Sequence, residues 1–435
     1  MSPLRLAVRG TISALTARDR ALLFYRATSS DDAIRGRAAE IIALVRSGGD
    51  LALHALAERF DRVRLDSLEV PRAACDAALS ALDPALRHAM ERAITNIRAV
   101  HSALRPTTTE ITTMDGVVIG RRPDPLARVG VYAPGGRAAY PSSVLMGAVP
   151  ARVAGVREVI LCSPPGPDGR PSAPVLAAAA LTGVDRVFSL GGAGAIAAMA
   201  YGTESVPAVD RIVGPGNAYV AEAKVQVSSR VAIDSPAGPS ELLVLADESA
   251  NALVVARELL AQAEHDPLAA VVLVTTSADL ASAVEAELSW LLDEAARAEI
   301  IRASLAARGA IVVASTLDEA IAFSNSWAPE HLSLVVRAED EATTLERLRN
   351  AGTILVGASA SVAYGDYMSG ANHVLPTGGA ARSYSGLSTL DFVRWTTYQR
   401  IPLAAARSLA EEVGVFADAE GLPGHAAAAR QWRNA

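Results

Sequence analysis

Two cysteines, Cys75 and Cys162, are all the thiol chemistry in this 435-residue sequence, too few for a disulfide framework or a Cys-based zinc site. A run of about 18 apolar residues is absent, so no segment is a candidate membrane-spanning helix. The first twenty residues are interrupted by Arg5, Arg9, Arg18 and Arg20 and lack the apolar core of a secretory leader, which makes a cytoplasmic location the expectation. An excess of positive charge is missing too. The formal net charge is −7, without the electrostatic footprint of a nucleic-acid binder. What is present is an ordinary globular composition, 51% hydrophobic and 20% charged. At about 150 residues per domain the length suggests two or three domains with large buried cores.

Apolar spacing predicts a helix from Ala33 to the Gly48-Gly49 pair, with more helix over 51–60 and 71–103. His54, His88 and His101 fall in these helices without partners at metal-ligand spacing and read as surface or packing residues. From residue 129 short apolar runs alternate with helical segments. Strands are expected at 129–133, 158–162, 186–190 and 211–213, and helices at 142–156, 174–181 and 192–200. The alternation returns after residue 240, with strands at 241–246, 269–275, 310–314, 332–336 and 352–356 and a helix over 251–265. Such alternation implies parallel sheets and an α/β fold of two units plus terminal segments. After about residue 388 the sequence reads as helical and Ala-rich.

Four segments carry candidate chemistry. In Gln262-Ala-Glu-His265-Asp-Pro267, at the end of the 251–265 helix, Gln262 and His265 are three apart and share a face, which suits a metal although Gln is an uncommon ligand. A polar helix terminus explains the segment equally well when it is taken alone. Glu330-His331, at the start of a strand, could supply two acid–base groups of different pKa, or a solvated turn. Tyr364-Gly-Asp366-Tyr…Asn372-His373 reads as a loop offering a carboxylate for a metal and an imidazole for a substrate, or ordinary turn chemistry. Glu420 and His425 lie near the C-terminus, where a histidine is usually inert. Taken together, His265, His331, His373 and His425 all follow residue 260 with a carboxylate or carboxamide nearby, a Cys-free set of ligand types that fits a catalytic rather than a structural site. Gly192-Ala-Gly194-Ala-Ile-Ala197 matches the dinucleotide fingerprint, yet the acidic residue expected about 20 positions later is not clearly placed, Asp210 being the nearest candidate.

In order, the strings Gly130-Val-Tyr-Ala-Pro-Gly-Gly136, Tyr140-Pro-Ser-Ser-Val-Leu-Met, Gly214-Pro-Gly-Asn-Ala-Tyr-Val, Ala237-Gly-Pro-Ser-Glu, Gln262-Ala-Glu-His, Ala328-Pro-Glu-His-Leu, Gly365-Asp-Tyr and Asn372-His-Val-Leu-Pro-Thr-Gly-Gly resemble the histidinol dehydrogenase family, from about residue 38 to 425. The resemblance implies two incomplete Rossmann-like domains with parallel sheets, one interrupted by the other, and small helical terminal segments that intertwine a homodimer. The implied boundaries are a 1–27 arm, 28–128 with 237–387 as the discontinuous domain, 129–236 on the NAD side, and a helical 388–435 segment reaching the partner.

It further implies one Zn2+ per subunit on Gln262, His265, Asp366 and His425, the last from the partner subunit. Glu330 and His331 would do acid–base work. Ser240, His373 and, from the partner, Glu420 would contact the substrate, together with the metal ligands. Tyr132, Asn217 and the position of Gly194 would meet NAD. The family usually has Gln where Gly194 stands and often Asn where Gly147 stands. The implied reaction is four-electron oxidation of L-histidinol to L-histidine through L-histidinal, with two NAD+. The alternatives are a zinc- and NAD-dependent relative acting on another polar alcohol, such as a sulfonated diol; a metal- or nucleotide-binding protein without catalysis, against which the Glu330-His331 pair speaks; and a single-step Rossmann dehydrogenase.

Overall fold

The structure, a computed structural model, describes residues 4–26, 32–113, 115–135 and 139–434. Two six-stranded sheets dominate it. The first runs, in spatial order, Glu69–Val70, Arg186–Ser189, Glu158–Ser163, Arg128–Tyr132, Arg211–Val213 and Ala232–Ile233, parallel except for the antiparallel Glu69–Val70 edge. The second runs Val8–Thr11, Ala310–Val313, Ala270–Thr275, Glu241–Ala246, His331–Val335 and Thr353–Val356 and is parallel throughout. Its central strands, ELLVLA and AVVLVT, are buried at every residue. That is what a parallel strand covered by helices on both faces requires, and it explains the continuous apolar runs.

Each sheet has a core on either side. Ile42, Val45, Leu53 and Leu56 of the Asp32–Leu56 segment interleave with the Ala-rich helix Gly192–Tyr201 on one face of the first sheet. That segment kinks at Gly49, where φ is 51°, so the Gly48-Gly49 stop read from sequence is a bend between two helices. Helices Arg72–Ser80, Pro84–Ala103, Pro141–Ala154 and Ala173–Thr182 cover the other face. The second sheet lies between Ala252–Ala263 with Ala278–Glu294 and Ala17–Phe24 with Leu317–Trp327.

Several expectations differ from this arrangement. Residues 32–103 pack on the first sheet, whereas the expected boundaries grouped 28–128 with 237–387. An amphipathic helix shows that it covers a core, not which core. The 1–27 arm is more than an arm: Val8–Thr11 pairs with Ala310–Val313 as an edge strand of the second sheet. The chain therefore enters the second sheet, leaves it to build the first, and returns at Glu241. The 388–435 segment is not helical from its start. Val393–Arg400 pairs antiparallel with Val118–Pro125, which also pairs with Thr109–Thr112, before helices Leu403–Ala419 and Pro423–Arg430. Asp366, expected in a loop, lies in the short helix Val362–Tyr367, capped by the Ser361 hydroxyl. Gly136 of the Pro-Gly-Gly string lies outside the described residues.

Candidate functional site

A cleft of about 1150 Å3 separates the two sheets. On the first sheet it opens at the carboxyl ends of the strands, lined by Pro134, Pro164, Gly191 and Pro215, each just past a strand. That is where open α/β sheets bind ligands. On the second sheet it meets the amino ends, lined by Ser240, Leu268 and His331, each at or just before a strand start.

The second-sheet wall gathers Ser240, Gln262, His265, Glu330, His331, Asp366 and His373, drawn from five separate segments. The helix Ala252–Ala263 ends beside it, and Gln262, only 2% exposed, comes from its last turn. His265 lies two residues beyond the helix, its backbone N–H donating to the Gln262 carbonyl. No hydrogen bond engages the Gln262 amide or the His265 ring among the described residues.

Glu330 and His331 are held from behind by one residue. The Glu241 N–H donates to Glu330 Oε2 at 2.7 Å, and the Glu241 carbonyl lies 3.1 Å from His331 Nδ1. A carbonyl only accepts, so Nδ1 carries the proton and a neutral His331 keeps its lone pair on Nε2. Nε2 is 3.5 Å from Asp366 Oδ1. The same logic applies to His373, whose Nδ1 is 2.9 Å from the Asp366 carbonyl.

The Glu241 side chain is itself locked. Arg26 Nε donates to its Oε1 at 2.7 Å, the Gly378 N–H donates to the same oxygen, and the Arg26 guanidinium lies 3.6 Å above the Trp327 ring. Ala328, in the left-handed region at φ 54°, ends the Leu317–Trp327 helix and turns the chain into Pro329-Glu330.

Burial and charge compete in this cluster. Burial alone would depress the His331 imidazole, but the Glu330 carboxylate and then Asp366 outweigh it and push it up to about 10. Burial raises Glu330 despite the opposing charge of His331. Asp366 is held low: burial opposes this, but the hydrogen bond and charge of His331, with His373 and His265, prevail. Burial lowers both His265 and His373. Two imidazoles kept neutral, a carboxylate kept ionised and an unpaired amide oxygen make a donor set suited to zinc. Gln262, His265 and Asp366 thus fit a metal. Among the described residues, however, no group of three or more His, Cys, Asp and Glu side chains stands together as a complete cage.

The first-sheet wall holds Tyr132, Gly194 and Asn217. The Tyr132 hydroxyl accepts from the Gly192 N–H at 3.0 Å and is pushed up to about 12 by burial. Gly194 lies in the first turn of Gly192–Tyr201, where an added Cβ would sit 3.1 Å from Leu56. Asn217 caps Ala218–Val227, its Oδ1 accepting from the Tyr219 and Val220 N–H groups.

Two candidates lie elsewhere. Glu420 and His425 are exposed at the junction of the two C-terminal helices and do not line the cleft. Sequence reasoning passed over Arg26 and Glu241, whose pairing spans 215 positions, and Asp61, which lines the first-sheet wall with its carboxyl pushed up to about 6 by burial. The only available signal for Asp61 was an acidic residue closing an amphipathic helix.

The histidinol dehydrogenase family model matches residues 24–433. A histidinol dehydrogenase of Methanosarcina barkeri is 49% identical over 391 residues, 90% of each chain. One of Methanothermobacter thermautotrophicus is 47% identical over 409 residues, covering 94% of this chain and 96% of its own. The crystal structure of histidinol dehydrogenase from Elizabethkingia anophelis superposes with a TM-score of 0.93 at 32% identity, over 99% of both chains. An acetylating aldehyde dehydrogenase from Geobacillus thermoglucosidasius shares the fold at a TM-score of 0.50 and 13% identity.

Proposed function

The chain belongs to the histidinol dehydrogenase family and is an oxidoreductase acting on a CH–OH group, and from that premise we propose that it oxidises L-histidinol to L-histidine with two NAD+ in the cleft between its sheets. The observation that carries the reading is the convergence of Gln262, His265, Glu330, His331 and Asp366 on one wall, facing a Gly-rich helix start on the other. Another polar alcohol as substrate gains no support from the relatives, which are named histidinol dehydrogenases. As a biosynthetic enzyme it would work in the cytoplasm.

Gln262, His265 and Asp366 would hold zinc, with His425 of the partner subunit as fourth ligand in a homodimer. When bound, the metal supplies a fixed Lewis acid for the amine and imidazole nitrogens of the substrate. NAD+, at the Tyr132, Gly194 and Asn217 wall, supplies the hydride acceptor, one molecule for each of two oxidations.

The chain's own residues do the rest. Ser240 and His373 bound the substrate, and Glu420 of the partner subunit would bond the far imidazole nitrogen. His331 Nε2 takes the hydroxyl proton as hydride leaves the carbinol carbon, giving the aldehyde. Asp366, as one of the residues that would hold the metal, would then no longer pair with His331 Nε2, 3.5 Å away, leaving that nitrogen to the substrate hydroxyl. Glu330, raised by burial, takes a proton from the water that adds to the aldehyde carbon, and the His331 imidazolium returns its proton to the carbonyl oxygen, which completes the hydrate and frees Nε2. His331 then accepts the hydrate's hydroxyl proton during the second hydride loss, giving the carboxylic acid.

The test is an end-point count of NADH by absorbance with limiting L-histidinol, excess NAD+ and zinc-loaded protein. Two NADH per histidinol are expected. One would mean release at the aldehyde, and none would overturn the substrate assignment.

A further inference from the structure

Of the 40 basic residues in this sequence, 39 are arginine and one is lysine, Lys224. The other 39, the buried Arg26 among them, all carry a guanidinium. The single ammonium is also nowhere near solvent: Lys224 is 1% exposed. A lone buried lysine in so arginine-rich a chain marks a place where a compact point charge is required and a planar fork does not serve.

Its surroundings show what that charge holds. Lys224 lies in Ala218–Val227, the helix capped by Asn217. Helical side chains lean toward the amino terminus, so this one runs back under the first turn. There Nζ donates to the Gly214 carbonyl at 3.0 Å and pairs with the Asp234 carboxylate. Asp234 in turn accepts from the Gly214 N–H at 2.8 Å and from the Ser235 N–H. Both polar atoms of Gly214 are therefore gripped, the N–H by Asp234 and the carbonyl by Lys224.

Gly214 needs that grip. Its φ is 118°, and an added Cβ would stand 2.1 Å from the Tyr132 carbonyl oxygen, so the turn presses against the end of the Arg128–Tyr132 strand in a conformation only glycine adopts. From this clamped peptide the chain runs through Pro215, Gly216 and Asn217, all on the cleft wall.

We infer that Lys224 is a positioning residue for cofactor binding: with Asp234 it fixes the Gly214 peptide and so sets Pro215–Asn217 and the start of the following helix against the dinucleotide. This rests on the reading that NAD+ occupies the first-sheet wall. The clamp lies on the first sheet, whereas the acid–base pair and the metal ligands stand on the second-sheet wall. Its loss should therefore act on the cofactor rather than on the chemistry.

The experiment is steady-state kinetics on three variants, Lys224→Met, Lys224→Arg and the charge-balanced Lys224→Met/Asp234→Asn. The double variant leaves no unpaired buried carboxylate if the single one does not fold. The expected result is a KM for NAD+ raised by about tenfold or more, with kcat at saturating NAD+ and the KM for histidinol held within about twofold. Lys224→Arg should fail to rescue, because it restores charge without geometry. A folded variant whose KM for NAD+ stays within about twofold of wild type overturns the inference, as does a fall in kcat with no change in that KM. Wild-type protein that turns over histidinol without NAD+ overturns the cofactor reading and this inference together. NAD+-dependent wild type with unaffected variants overturns the inference alone.

Discussion

His331 is 5% exposed and sits between a backbone carbonyl, Glu330 and Asp366, so its chemistry is set by what it can still reach with Nε2. Replacing it with Asn keeps a donor at the Nδ1 position and removes the base. His331→Asn should lower kcat for both oxidations by roughly 10²–10⁴-fold while metal content, measured on the purified protein, stays at wild-type stoichiometry. Wild-type turnover would exclude His331 as the base. His101 makes a contrasting case. It is 2% exposed, neither ring nitrogen has a hydrogen-bond partner among the described residues, and burial lowers its pKa to about 4. The folded state therefore binds this proton more weakly than the unfolded chain, where His titrates near 6.5. The neutral ring's contribution is intact above pH 6.5 and is lost as pH falls toward 4, a loss on the order of 3 kcal/mol. His101→Leu should flatten that acid limb in urea titrations at pH 4.5 to 7.5, with stability at pH 7.5 unchanged or raised. An acid limb equal to that of wild type would show that other groups set it.

At the scale of elements, Asn217 divides one side chain between two duties. Its Oδ1 caps Ala218–Val227, which leaves its amide N–H groups free of the helix. Asn217→Ala should cost about 1 kcal/mol of stability through the lost cap. Asn217→Asp keeps the cap and replaces the amide donors with negative charge on the proposed NAD+ wall. Its melting temperature should match wild type while the KM for NAD+ rises; equal KM values would remove Asn217 from the cofactor wall. This helix, Ala218–Val227, was not read from the sequence, although most of its neighbours were. Apolar periodicity and caps located most elements of both sheets to within one or two residues, because parallel strands and amphipathic helices carry their burial in local pattern. Val8–Thr11 and Val393–Arg400 were not legible. Both are edge strands whose partners, Ala310–Val313 and Val118–Pro125, lie some 270 to 300 positions away, and neither is apolar enough to announce itself. The site divides the same way. Gln262, His265, Glu330, His331 and Asp366 stood out as ligand and acid–base types, although their roles came from resemblance. Arg26 and Glu241, which hold the pair in place, left no local trace.

At the scale of the molecule, the C-terminal segment is the piece that one chain leaves unfinished. Helices Leu403–Ala419 and Pro423–Arg430 pack chiefly on each other. They expose Val413, Val415 and Phe416, the last at 71%, more apolar surface than a short hairpin ordinarily leaves in water. They also carry Glu420 and His425, the two candidate site residues absent from the chain's own cleft. A twofold pair in which each hairpin crosses to its partner would bury that surface and deliver both residues, since the same patch then serves both subunits. Complementation tests this directly. Glu330→Gln and His425→Asn should each be inactive as purified homodimers, the first without a water-activating carboxylate and the second with weakened zinc binding. Co-expressed at equal levels, the two chains pair at random and half of the dimers are mixed. Each mixed dimer holds one doubly damaged site and one intact site, so activity should return to about a quarter of wild type. A site built from one chain gives no recovery at any mixing ratio. Co-expression without recovery, with mixed dimers verified by two affinity tags, would show that His425 does not complete the partner's site.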